Sequence, residues 1–518
     1  MPTNPEQIAC IDPATRAQLG SVRVDSAADV EAAVVRARRA QQAWGKTSFA
    51  ERRRVLGAIL RYTVDHKEEI CTEVQRGAGK TRENALLGEV WPVCEKLRWL
   101  IANGEKHLKP EKVGSGLLLH KKARLEFVPL GVVAAIIPWN YPFQNLMNPI
   151  STALMAGNAI VLKPSEWVAW SSERLVNELR EVVRSCGHDP DLIQAVQGFG
   201  ETGAALVRAA VDMILFIGSV GNGRRVAEGA AERVTPVVME LGGKDAFVVC
   251  DDANLEQAAH AAMAGCFINC GQNCVSSERI LVHQSVYDAF AGKVLDLTSP
   301  LRQGDGRDDV VTDVGAITTS LQLDLIEKLV DKAVAQGARL LCGGHRVRKD
   351  QGNYFEPTIL ADVTPDMDIA VEEVFGPVML LMRVTDDDDA VRVANGVSFG
   401  LSSSVFSRNL ARARSIASRL EVGMTAINEF GGATYMAQDL TFGGVKASGY
   451  GRMNGREGLR SMCNVKSVLD DRLPFGRANK VFPVATGDFG MFSGVIDLIY
   501  GKDLAQRWHG LTRLISRK

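Results

Sequence analysis

The 518-residue sequence carries little net charge of either sign, because 60 Lys and Arg are balanced by 61 Asp and Glu. This balance gives no sign of nucleic-acid binding or of a solvating acidic tail. No apolar run reaches about 18 residues, so we expect no membrane-spanning helix. The first residues lack the basic start and apolar stretch of a signal peptide.

Ten cysteines are spaced irregularly and none forms a Cys-x-x-Cys pair. This spacing argues against a disulfide framework and against a structural zinc site, and it is typical of a reducing compartment. We therefore expect a cytoplasmic protein without a metal centre.

The chain alternates between short apolar runs and helical stretches once the mostly helical segment 26–105 has ended. Apolar runs occur at 132–137, 159–162, 193–196, 213–216 and 246–249, with a second alternating series from 254 to about 428. Strands that alternate with helices across short glycine-bearing turns predict an α/β fold whose parallel sheet is covered on both faces.

Two segments depart from this alternation. Residues 108–128 are polar and alternating, which predicts an exposed hairpin. Residues 471–518 hold eight Lys and Arg against four Asp, and Leu504, Trp508, Leu511 and Ile515 share one helical face. Three interpretations of this amphipathic extension remain open. It packs on its own subunit or on a partner subunit, it lies on a membrane surface as a peripheral helix, or it is a frayed end.

Cys274 and Glu240 are the first candidates for chemistry. Gly271 permits a tight turn just before Cys274, although most cysteines in apolar surroundings are inert packing. Cys270 lies four residues away, but no pair of histidines at ligand spacing supports a metal site. Glu240 lies in an apolar run, where desolvation would make it a base near neutrality, and pairing with Lys244 is the alternative.

Asn140 lies between two prolines on the loop after the first apolar run. Loops at the carboxyl ends of parallel strands form binding sites, and an amide there could donate to an oxyanion. A turn-forming Asn is the commoner use of this residue type.

Two glycine loops could meet a dinucleotide. Residues 198–203 match the G-x-G-x-x-G pattern, but Glu201 would face a pyrophosphate. Residues 218–223 also open a helix and carry no acid, so their amides could meet phosphate without repulsion. Lys163 and Glu166 follow a strand and suit either a ribose diol or a surface ion pair.

Taken together, these segments resemble the NAD(P)-dependent aldehyde dehydrogenase superfamily over about residues 11–468. The matching segments, in the family's order, are PWNYP (138–142), KPSE (163–166), FIGS (216–219), ELGGK (240–244), GQNC (271–274), EEVFGP (372–377) and FGGVKASG (442–449). Ile217, Asp245, Ala246 and Thr441 depart from the common pattern without removing a reacting group. Ile217 and the C-terminal extension are similar to a branch found in plants and fungi.

The resemblance implies that Cys274 is the nucleophile, Glu240 the general base and Asn140 the oxyanion donor. Lys163 is assigned to both the catalytic and the cofactor-binding sets, and Lys244 is expected in the active site. The implied reaction is oxidation of an aldehyde to a carboxylic acid through a thiohemiacetal and a thioester on Cys274, with water activated by Glu240 for release.

The resemblance also implies the residues that bind the cofactor. Ser219 matches the pyrophosphate contact, Lys163 and Glu166 the adenosine ribose, Glu373 the nicotinamide ribose, and Phe375 packs near that ring. The remaining members of the expected set are Ile137, Pro138, Trp139, Gly200, Gly203, Phe216, Gly218, Glu240, Leu241 and Gly242. NAD is expected over NADP, because Glu166 would repel a 2′-phosphate.

The implied architecture has a Rossmann-type NAD domain, an α/β catalytic domain and a β-hairpin oligomerisation arm. The expected bounds are 1–107 and 129–241 for the NAD domain, 108–128 for the hairpin, 242–438 for the catalytic domain, 439–470 for the return to the NAD domain and arm, and 471–518 for the extension. A homodimer or homotetramer follows, since hairpin edges usually find a partner strand.

The aldehyde itself is not indicated by the sequence. Pocket candidates of mixed polarity are Gln144, Met147, Asn273, Val275, Phe430 and Tyr435. Two rivals stand beside aldehyde oxidation to the acid. One is a coenzyme-A-acylating member of the fold, which Glu240 disfavours, and the other is a non-catalytic protein on the same fold.

Overall fold

The computed structural model describes residues 6–307, 310–347, 352–474 and 481–515. It divides into two compact units, of which the first comprises Met1–Pro110 with Glu126–Lys466 and the second comprises Glu111–Leu125 with Ser467–Lys518. The first unit contains two mainly parallel sheets flanked by helices. The predicted α/β class is thereby confirmed.

The strands alternate with helices through most of the first unit. In chain order they are β1 (Gln7–Ile11), β2 (Gln18–Arg23), β3 (Glu111–Val113), β4 (Lys121–Pro129), β5 (Val132–Ile137), β6 (Ala159–Pro164), β7 (Ile193–Ala195), β8 (Met213–Gly218), β9 (Val237–Leu241), β10 (Ala246–Val249), β11 (Arg279–His283), β12 (Arg339–Cys342), β13 (Arg346–Val347), β14 (Tyr354–Phe355), β15 (Thr358–Ala361), β16 (Val378–Val384), β17 (Ser403–Phe406), β18 (Ala426–Ile427), β19 (Gly449–Tyr450) and β20 (Cys463–Asp471).

The helices connect these strands. In chain order they are α1 (Ala27–Trp44), α2 (Phe49–Asp65), α3 (Lys67–Ala78), α4 (Arg82–Ala85), α5 (Trp91–Leu108), α6 (Pro142–Ala156), α7 (Ala169–Ser185), α8 (Gly200–Arg208), α9 (Val220–Ala231), α10 (Leu255–Phe267), α11 (Tyr287–Thr298), α12 (Ser320–Ala335), α13 (Asp368–Val371), α14 (Asp387–Asn395), α15 (Leu410–Ala417), α16 (Gly455–Arg460), α17 (Asp488–Tyr500) and α18 (Leu504–Ile515).

The first sheet has six strands in the order β19-β9-β8-β5-β6-β7. All its pairings are parallel except the short antiparallel pair of β19 with β9. Helices cover both faces, so β5 and β6 are apolar almost throughout. The parallel arrangement places the loops after β5, β8 and β9 at one edge of the sheet, where ligands bind in such folds.

The second sheet has seven strands in the order β12-β15-β16-β11-β10-β17-β18. Only β12 with β15 is antiparallel. Two separate apolar clusters pack on its two faces. The sequence run 246–249 therefore belongs to this sheet as β10, next to β11, which begins five residues after Cys274.

Local signals explain where several helices begin. Ser26 caps α1 by accepting from the Asp29 N–H, and the Asp29 side chain accepts in return from the Ser26 N–H. Ser219 caps α9 in the same way by accepting from the Asn222 N–H. Helix α6 begins at Pro142, two residues after Asn140. Proline suits the first position of a helix.

The second unit combines a three-stranded sheet with two helices. The sheet order is β20-β4-β3, and β3 pairs antiparallel with β4 so that Glu111 lies opposite Leu125. Lys121 forms an ion pair with Asp471 at 2.6 Å. The expected hairpin at 108–128 is present, and the tail forms α18 from Leu504, preceded by α17, which the sequence pattern did not indicate.

Candidate active site

A cavity of about 460 Å³ lies within the first unit. Its wall contains the loops after β5 and β8, the end of β9 and the segment around Cys274. Cys274, Glu240 and Asn140 all line it, although they are far apart in the sequence. The structure thus brings together three side chains that the sequence assigned to one reaction.

The backbone before Cys274 is held in an unusual conformation. Asn269 and Cys270 have φ values of 53° and 57°, and Gly271 has a φ of 70°. A Cβ atom on Gly271 would lie 2.0 Å from the carbonyl oxygen of Gly376, so only glycine fits. The Asn269 amide stabilises this turn by donating to the backbone oxygens of Asn140 at 2.8 Å and Gln272 at 3.0 Å.

The Cys274 thiol and the Glu240 carboxyl group line the same cavity, and the Cys274 Sγ lies 3.9 Å from the Asn273 Oδ1. Burial raises the pKa of Glu240 to about 7, and the neighbouring Cys274 opposes that shift. Burial also raises the pKa of Cys274 well above its usual value, and the Glu240 charge adds to this effect. The thiol rather than the thiolate is therefore favoured near neutral pH.

The Glu240 Oε1 atom is buried and has no hydrogen-bond partner among the described residues. A buried carboxylate oxygen without a partner costs free energy. Its position in the cavity wall makes it available to a water molecule or another polar group that enters the cavity.

The Asn140 side chain is fixed on both sides. Its Nδ2 donates to the Gln272 carbonyl at 3.2 Å, and its Oδ1 accepts from the Asn145 amide at 3.2 Å. Because an amide nitrogen carries two N–H donors, one remains for a group inside the cavity. The geometry suits an oxyanion donor better than a simple turn.

A buried ion pair supports the Asn140 loop from behind. Lys80 Nζ donates to Glu89 at 2.7 Å and to the Asn140 carbonyl at 2.8 Å, and both charged side chains are fully buried. The second Glu89 oxygen accepts from the Gln144 N–H at 2.8 Å. Lys80 also lies 4.1 Å from the Tyr141 ring centre. We refer to Lys80 and Glu89 as the Asn140 clamp.

The part of the cavity wall beside α9 suits a dinucleotide. Gly218 and Ser219 lie there, at the N-terminus of α9, where backbone N–H groups favour an anion. A Cβ atom on Gly242 would lie 2.3 Å from the Glu373 carboxylate, so this position leaves room for nothing larger than glycine. Of the two glycine loops, the one at 218–223 therefore lines the cavity, and the one at 198–203 does not.

Glu373 and Phe375 lie close to this part of the wall. The Gly243 N–H donates to Glu373 at 3.0 Å, and burial raises the pKa of Glu373 to about 8. The Phe375 ring meets the Trp139 ring edge-on, with 5.4 Å between centres. These side chains offer a hydrogen-bonding carboxyl group and an aromatic surface to a bound ring system.

A second buried ion pair supports this loop. Lys244 Nζ binds the Glu278 carboxylate, and both side chains are almost fully buried. The same carboxylate accepts from the N–H groups of Val374 and Phe375, both at 2.9 Å at the closest. Lys244 therefore stabilises the loop that carries Glu373 rather than Glu240 itself. We refer to Lys244 and Glu278 as the Glu373 clamp.

Pro138 also lines the cavity, whereas the remaining residues expected to bind a cofactor do not. Lys163 and Glu166 lie at the end of β6 with 3.6 Å between Nζ and the carboxylate. Ile137, Phe216 and Leu241 are buried at or near strand ends. Gly200 and Gly203 lie in the first turn of α8. Nearby, Thr202 fills the space beside Gly198 and donates to the Asp25 carbonyl.

The substrate candidates are mostly placed in the wall. Gln144, Asn273, Val275, Phe430 and Tyr435 line the cavity. The prediction for Met147 is wrong, because its side chain is buried in the apolar core around the first sheet. Helix α6 is buried on almost all sides, so its sequence period does not reveal which face meets the cavity.

Sequence reasoning missed Lys80, Glu89, Asn269 and Glu278. A Lys or Glu in a helical stretch is normally solvated, and no local pattern shows that its partner is nearby. Across the ranges 6–307, 310–347, 352–474 and 481–515, no group of three or more His, Cys, Asp or Glu could hold a metal ion. All ten cysteines are free thiols.

Comparison with known proteins gives a consistent picture. A model of the "Aldehyde dehydrogenase family" matches residues 1–468. The aldehyde dehydrogenase-like protein YHR039C of Saccharomyces cerevisiae is 41% identical over 492 residues, covering 92% of this chain and 76% of that protein. The 4,4'-diapolycopene aldehyde oxidase of a Methylomonas species is 36% identical over 498 residues, covering 96% and 92%.

Solved structures are similar in fold as well. Betaine aldehyde dehydrogenase from Staphylococcus aureus, in complex with NAD+, superposes with a TM-score of 0.85 at 30% identity, covering 92% of this chain and 94% of that chain.

Proposed function

This chain belongs to the aldehyde dehydrogenase family, and on that premise we propose that it oxidises an aldehyde to the carboxylic acid with NAD as the hydride acceptor. The observation that carries the proposal is the convergence of the Cys274 thiol, the Glu240 carboxyl group and the Asn140 amide on one cavity. A nucleophile, a base and an oxyanion donor are the groups that acyl transfer through a cysteine needs.

The first step is attack of the Cys274 sulfur on the aldehyde carbon. Glu240 takes the thiol proton, so the S–C bond forms as the carbonyl oxygen becomes an oxyanion. The Asn140 N–H and the Cys274 backbone N–H receive that oxyanion. One such donor contributes about 3 to 4 kcal/mol to a transition state of this kind.

The residues present fit NAD. The α9 N-terminus with Ser219 would hold the pyrophosphate, Glu373 the nicotinamide ribose, and Lys163 with Glu166 the adenosine ribose. Phe375 and Trp139 would pack near the reactive ring. When bound, NAD+ accepts the hydride from the carbon attached to Cys274, which leaves a thioester on the enzyme.

The last step is hydrolysis of this thioester. Glu240 first releases to solvent the proton that it took from the thiol. It then accepts a proton from water, the water oxygen attacks the acyl carbon, and the Cys274 sulfur leaves and takes that proton back from Glu240. The unpartnered Glu240 Oε1 supports this role, because it lies where a water molecule would complete its hydrogen bonding. A pKa of about 7 for Glu240 suits a base at neutral pH.

Two variants test the assignment. Cys274→Ala should abolish aldehyde oxidation, and Glu240→Gln should slow the first attack, give a single burst of NADH and then stall as an acyl-enzyme that mass spectrometry detects. The assay contains no coenzyme A, so steady turnover of the parent enzyme shows that water is the acyl acceptor. Normal turnover by Cys274→Ala, or a need for coenzyme A, would contradict the proposal.

The cavity favours an uncharged, largely apolar aldehyde. Within the described part of the chain, none of the residues that line it is Lys, Arg or His. A carboxylate-bearing aldehyde would therefore lack a cationic partner there. Val275, Phe430, Met436 and Phe442 supply apolar wall that gains from burying a hydrocarbon chain.

A second candidate substrate class is an aldehyde with a quaternary ammonium group. Tyr435 and Phe442 meet edge-on with 5.2 Å between ring centres, and Phe430 also lines the wall. Aromatic faces bind such cations. An assay of straight-chain aldehydes of two to ten carbons, betaine aldehyde and succinate semialdehyde decides between the classes. A kcat/KM that rises with chain length supports the apolar class, and a maximum with succinate semialdehyde contradicts both.

We also propose that the enzyme is a homodimer or homotetramer. The edge strand β20 supports this state, because its Val465 and Leu469 are about half exposed and could pair with another copy. Light scattering during size exclusion measures the mass. A monomer at micromolar concentration would contradict the proposal.

A further inference from the structure

Lys96 is a buried lysine near the cavity that the proposed mechanism does not use. It lies on α5, and unlike Lys80 and Lys244 it forms no ion pair with a carboxylate among the residues that the structure describes. Its Nζ donates instead to the side-chain oxygen of Asn454 at 2.8 Å. A buried lysine whose partner is a neutral amide is a poor source of stability. Its position therefore points to a role in the neighbouring site.

Asn454 is held in a strained conformation just before α16. Its φ of 55° and ψ of 171° lie outside the regions that residues with a side chain normally adopt. The Asn454 Oδ1 accepts from the Lys96 Nζ and also from the Asn148 Nδ2 at 3.3 Å, so both of its lone pairs are used. Burial lowers the pKa of Lys96 to about 7, but the amino group can donate in either protonation state. Lys96 thus fixes which end of the Asn454 amide faces it.

Asn148 connects Asn454 with the cavity wall. It lies on α6 and lines the cavity together with Tyr435. One N–H of its Nδ2 donates to the Asn454 Oδ1, and the other donates to the Tyr435 hydroxyl oxygen at 2.6 Å. Because the first bond sets the orientation of the Asn148 amide, it also sets the second. The Tyr435 oxygen is thereby made an acceptor on the protein side.

The Tyr435 hydroxyl keeps its proton for the cavity. Burial raises the pKa of Tyr435 to about 12, and the neighbouring amides of Gln144, Asn148 and Asn454 oppose that shift, so the hydroxyl is neutral at neutral pH. Its oxygen accepts from Asn148, whereas none of the described residues accepts from its O–H. Tyr435 lines the same cavity as Cys274. The O–H can therefore donate to a molecule that enters the cavity.

The packing around the Tyr435 ring is apolar. The Phe442 ring meets it edge-on, with 5.2 Å between ring centres, and both Phe442 and Met436 line the cavity. A single directed donor in such a wall favours a ligand that carries an acceptor at the matching point. An apolar group there would leave a buried donor without a partner, which costs free energy.

We propose that the Tyr435 hydroxyl, oriented by Lys96 through Asn454 and Asn148, binds an oxygen atom in the chain of the aldehyde substrate. This inference rests on the proposed function. It narrows the substrate class to an uncharged aldehyde that carries an ether, hydroxyl or carbonyl oxygen beyond the reacting group. Tyr435 is then a specificity-determining residue, and Lys96 is a positioning residue that acts through the two asparagines.

Matched pairs of substrates test this proposal. Each pair consists of a straight-chain aldehyde of six to eight carbons and its ether analogue, in which oxygen replaces the methylene at the fourth, fifth or sixth chain position. NADH formation at saturating NAD gives the ratio of kcat/KM for the ether to kcat/KM for the hydrocarbon. For the parent enzyme, we expect this ratio to be highest at one oxygen position, about two- to tenfold above the others, as for one net hydrogen bond.

Two variants remove the donor and its support separately. Tyr435→Phe deletes only the hydroxyl and should bring the ratio at the favoured position down to that of the other positions, with hydrocarbon turnover within a few-fold of the parent. Lys96→Met should lower the same ratio at least twofold, because the two amides lose their fixed orientation. A merely structural role of Lys96 would affect the ether and the hydrocarbon equally and leave the ratio unchanged.

Tyr500→Phe is the matched control, since Tyr500 is exposed on α17 and belongs to the second unit. It should reproduce the parent ratio at every oxygen position. Circular dichroism and urea denaturation show whether each variant is folded. Tyr435→Phe removes no buried charge, so it tests the proposal even where Lys96→Met is too unstable to assay.

The outcomes separate this inference from the proposed function. Where the parent oxidises the hydrocarbon aldehydes but shows the same ratio at all oxygen positions, or where Tyr435→Phe leaves the ratio unchanged, the inference is wrong and the proposed function stands. A ratio that falls in Tyr435→Phe but not in folded Lys96→Met overturns the positioning role of Lys96. No oxidation of any aldehyde by the parent contradicts the proposed function itself, and this inference with it.

Discussion

Two buried lysines, Lys80 and Lys244, support different parts of the cavity wall through similar ion pairs. The differences between these ion pairs indicate two different roles. Lys80 binds Glu89, which accepts from the Gln144 N–H, and Lys244 binds Glu278, which accepts from the N–H groups of Val374 and Phe375. In each clamp, a buried carboxylate fixes the backbone of a loop that lines the cavity. Burial lowers the pKa of each lysine, and its glutamate partner opposes that shift.

The clamps differ in how directly the lysine reaches the site. Lys80 also donates to the carbonyl oxygen of Asn140, whereas the hydrogen bond of Lys244 to the carboxylate of Glu278 connects it to the backbone of the Glu373 loop. The Asn140 clamp therefore positions the proposed oxyanion donor. The Glu373 clamp positions a loop proposed to bind the cofactor, so we expect the same type of ion pair to affect the chemical step in one place and cofactor binding in the other.

The largest expected effect is that of Lys80→Met. Loss of the bond to the Asn140 carbonyl should shift the Asn140 amide, and a misplacement of about 1 Å in an active site costs about 100-fold in kcat. The KM for NAD should change little. The uncompensated Glu89 charge should also lower the free energy of unfolding by about 3 to 5 kcal/mol, measured by urea denaturation.

A double variant separates stability from catalysis in this clamp. Lys80→Met with Glu89→Gln should recover much of the stability and keep the low kcat, because the contact to Asn140 stays lost. The exposed Lys46→Met serves as the control and should match the parent. Recovery of kcat in the double variant would show that the clamp acts only on stability.

Lys244→Met is the matched change in the other clamp. Glu278 would keep the two backbone N–H bonds but lose its cation, so the Glu373 loop should loosen rather than collapse. We expect a rise of about tenfold in the KM for NAD, equivalent to about 1.4 kcal/mol, with kcat within a few-fold of the parent. A fall in kcat larger than that of Lys80→Met would remove the distinction between the clamps.

The pH dependence of deacylation tests whether the pKa of Glu240, the proposed base, is independent of both clamps. Glu240 has a pKa raised to about 7 by burial, and only its unprotonated form can accept a proton from water. The thioester hydrolysis rate should therefore fall about tenfold per pH unit below that value. Single-turnover measurements should give the same inflection in Lys80→Met and Lys244→Met. A shift in either variant would show that a lysine reaches Glu240.

The smallest effect is expected at Glu166, far from the reacting groups. Its carboxylate is partly exposed and lies 3.6 Å from Lys163. Glu166→Gln should improve kcat/KM for NADP a few-fold relative to NAD, because the repulsion of a 2′-phosphate is removed but solvent already screens it. A parent enzyme that prefers NADP would contradict the expected cofactor choice.

The regular elements of the first unit were largely predictable. The apolar run 132–137 coincides with β5, and the mostly helical segment expected at 26–105 begins with α1. Buried parallel strands and amphipathic helices leave strong local patterns. Helix α17 left no such pattern, because Ser493 and Asp497 contact α18 and most of its exposed surface is apolar.

The candidate site was predictable where a motif names its reacting groups. Cys274, Glu240 and Asn140 were assigned from short segments, and the structure brings them to one cavity. Met147 was misplaced, since a helix buried on nearly every side gives no period that distinguishes cavity from core. The preference for the glycine loop at 218–223 over the loop at 198–203 also agrees with the structure, because only the first of these two loops lines the cavity.

The sequence by itself determined the alternation of strands and helices and the turn at Gly271, because these depend on neighbours within a few residues. The proposed reacting groups followed from the resemblance of short motifs to a family. Only the tertiary structure decided that Lys80 reaches Asn140, that Lys244 serves the Glu373 loop, and that Glu240 is dry enough for a pKa of about 7. Ion pairing and desolvation depend on which distant segments pack around a charge, and no local pattern of residues encodes that.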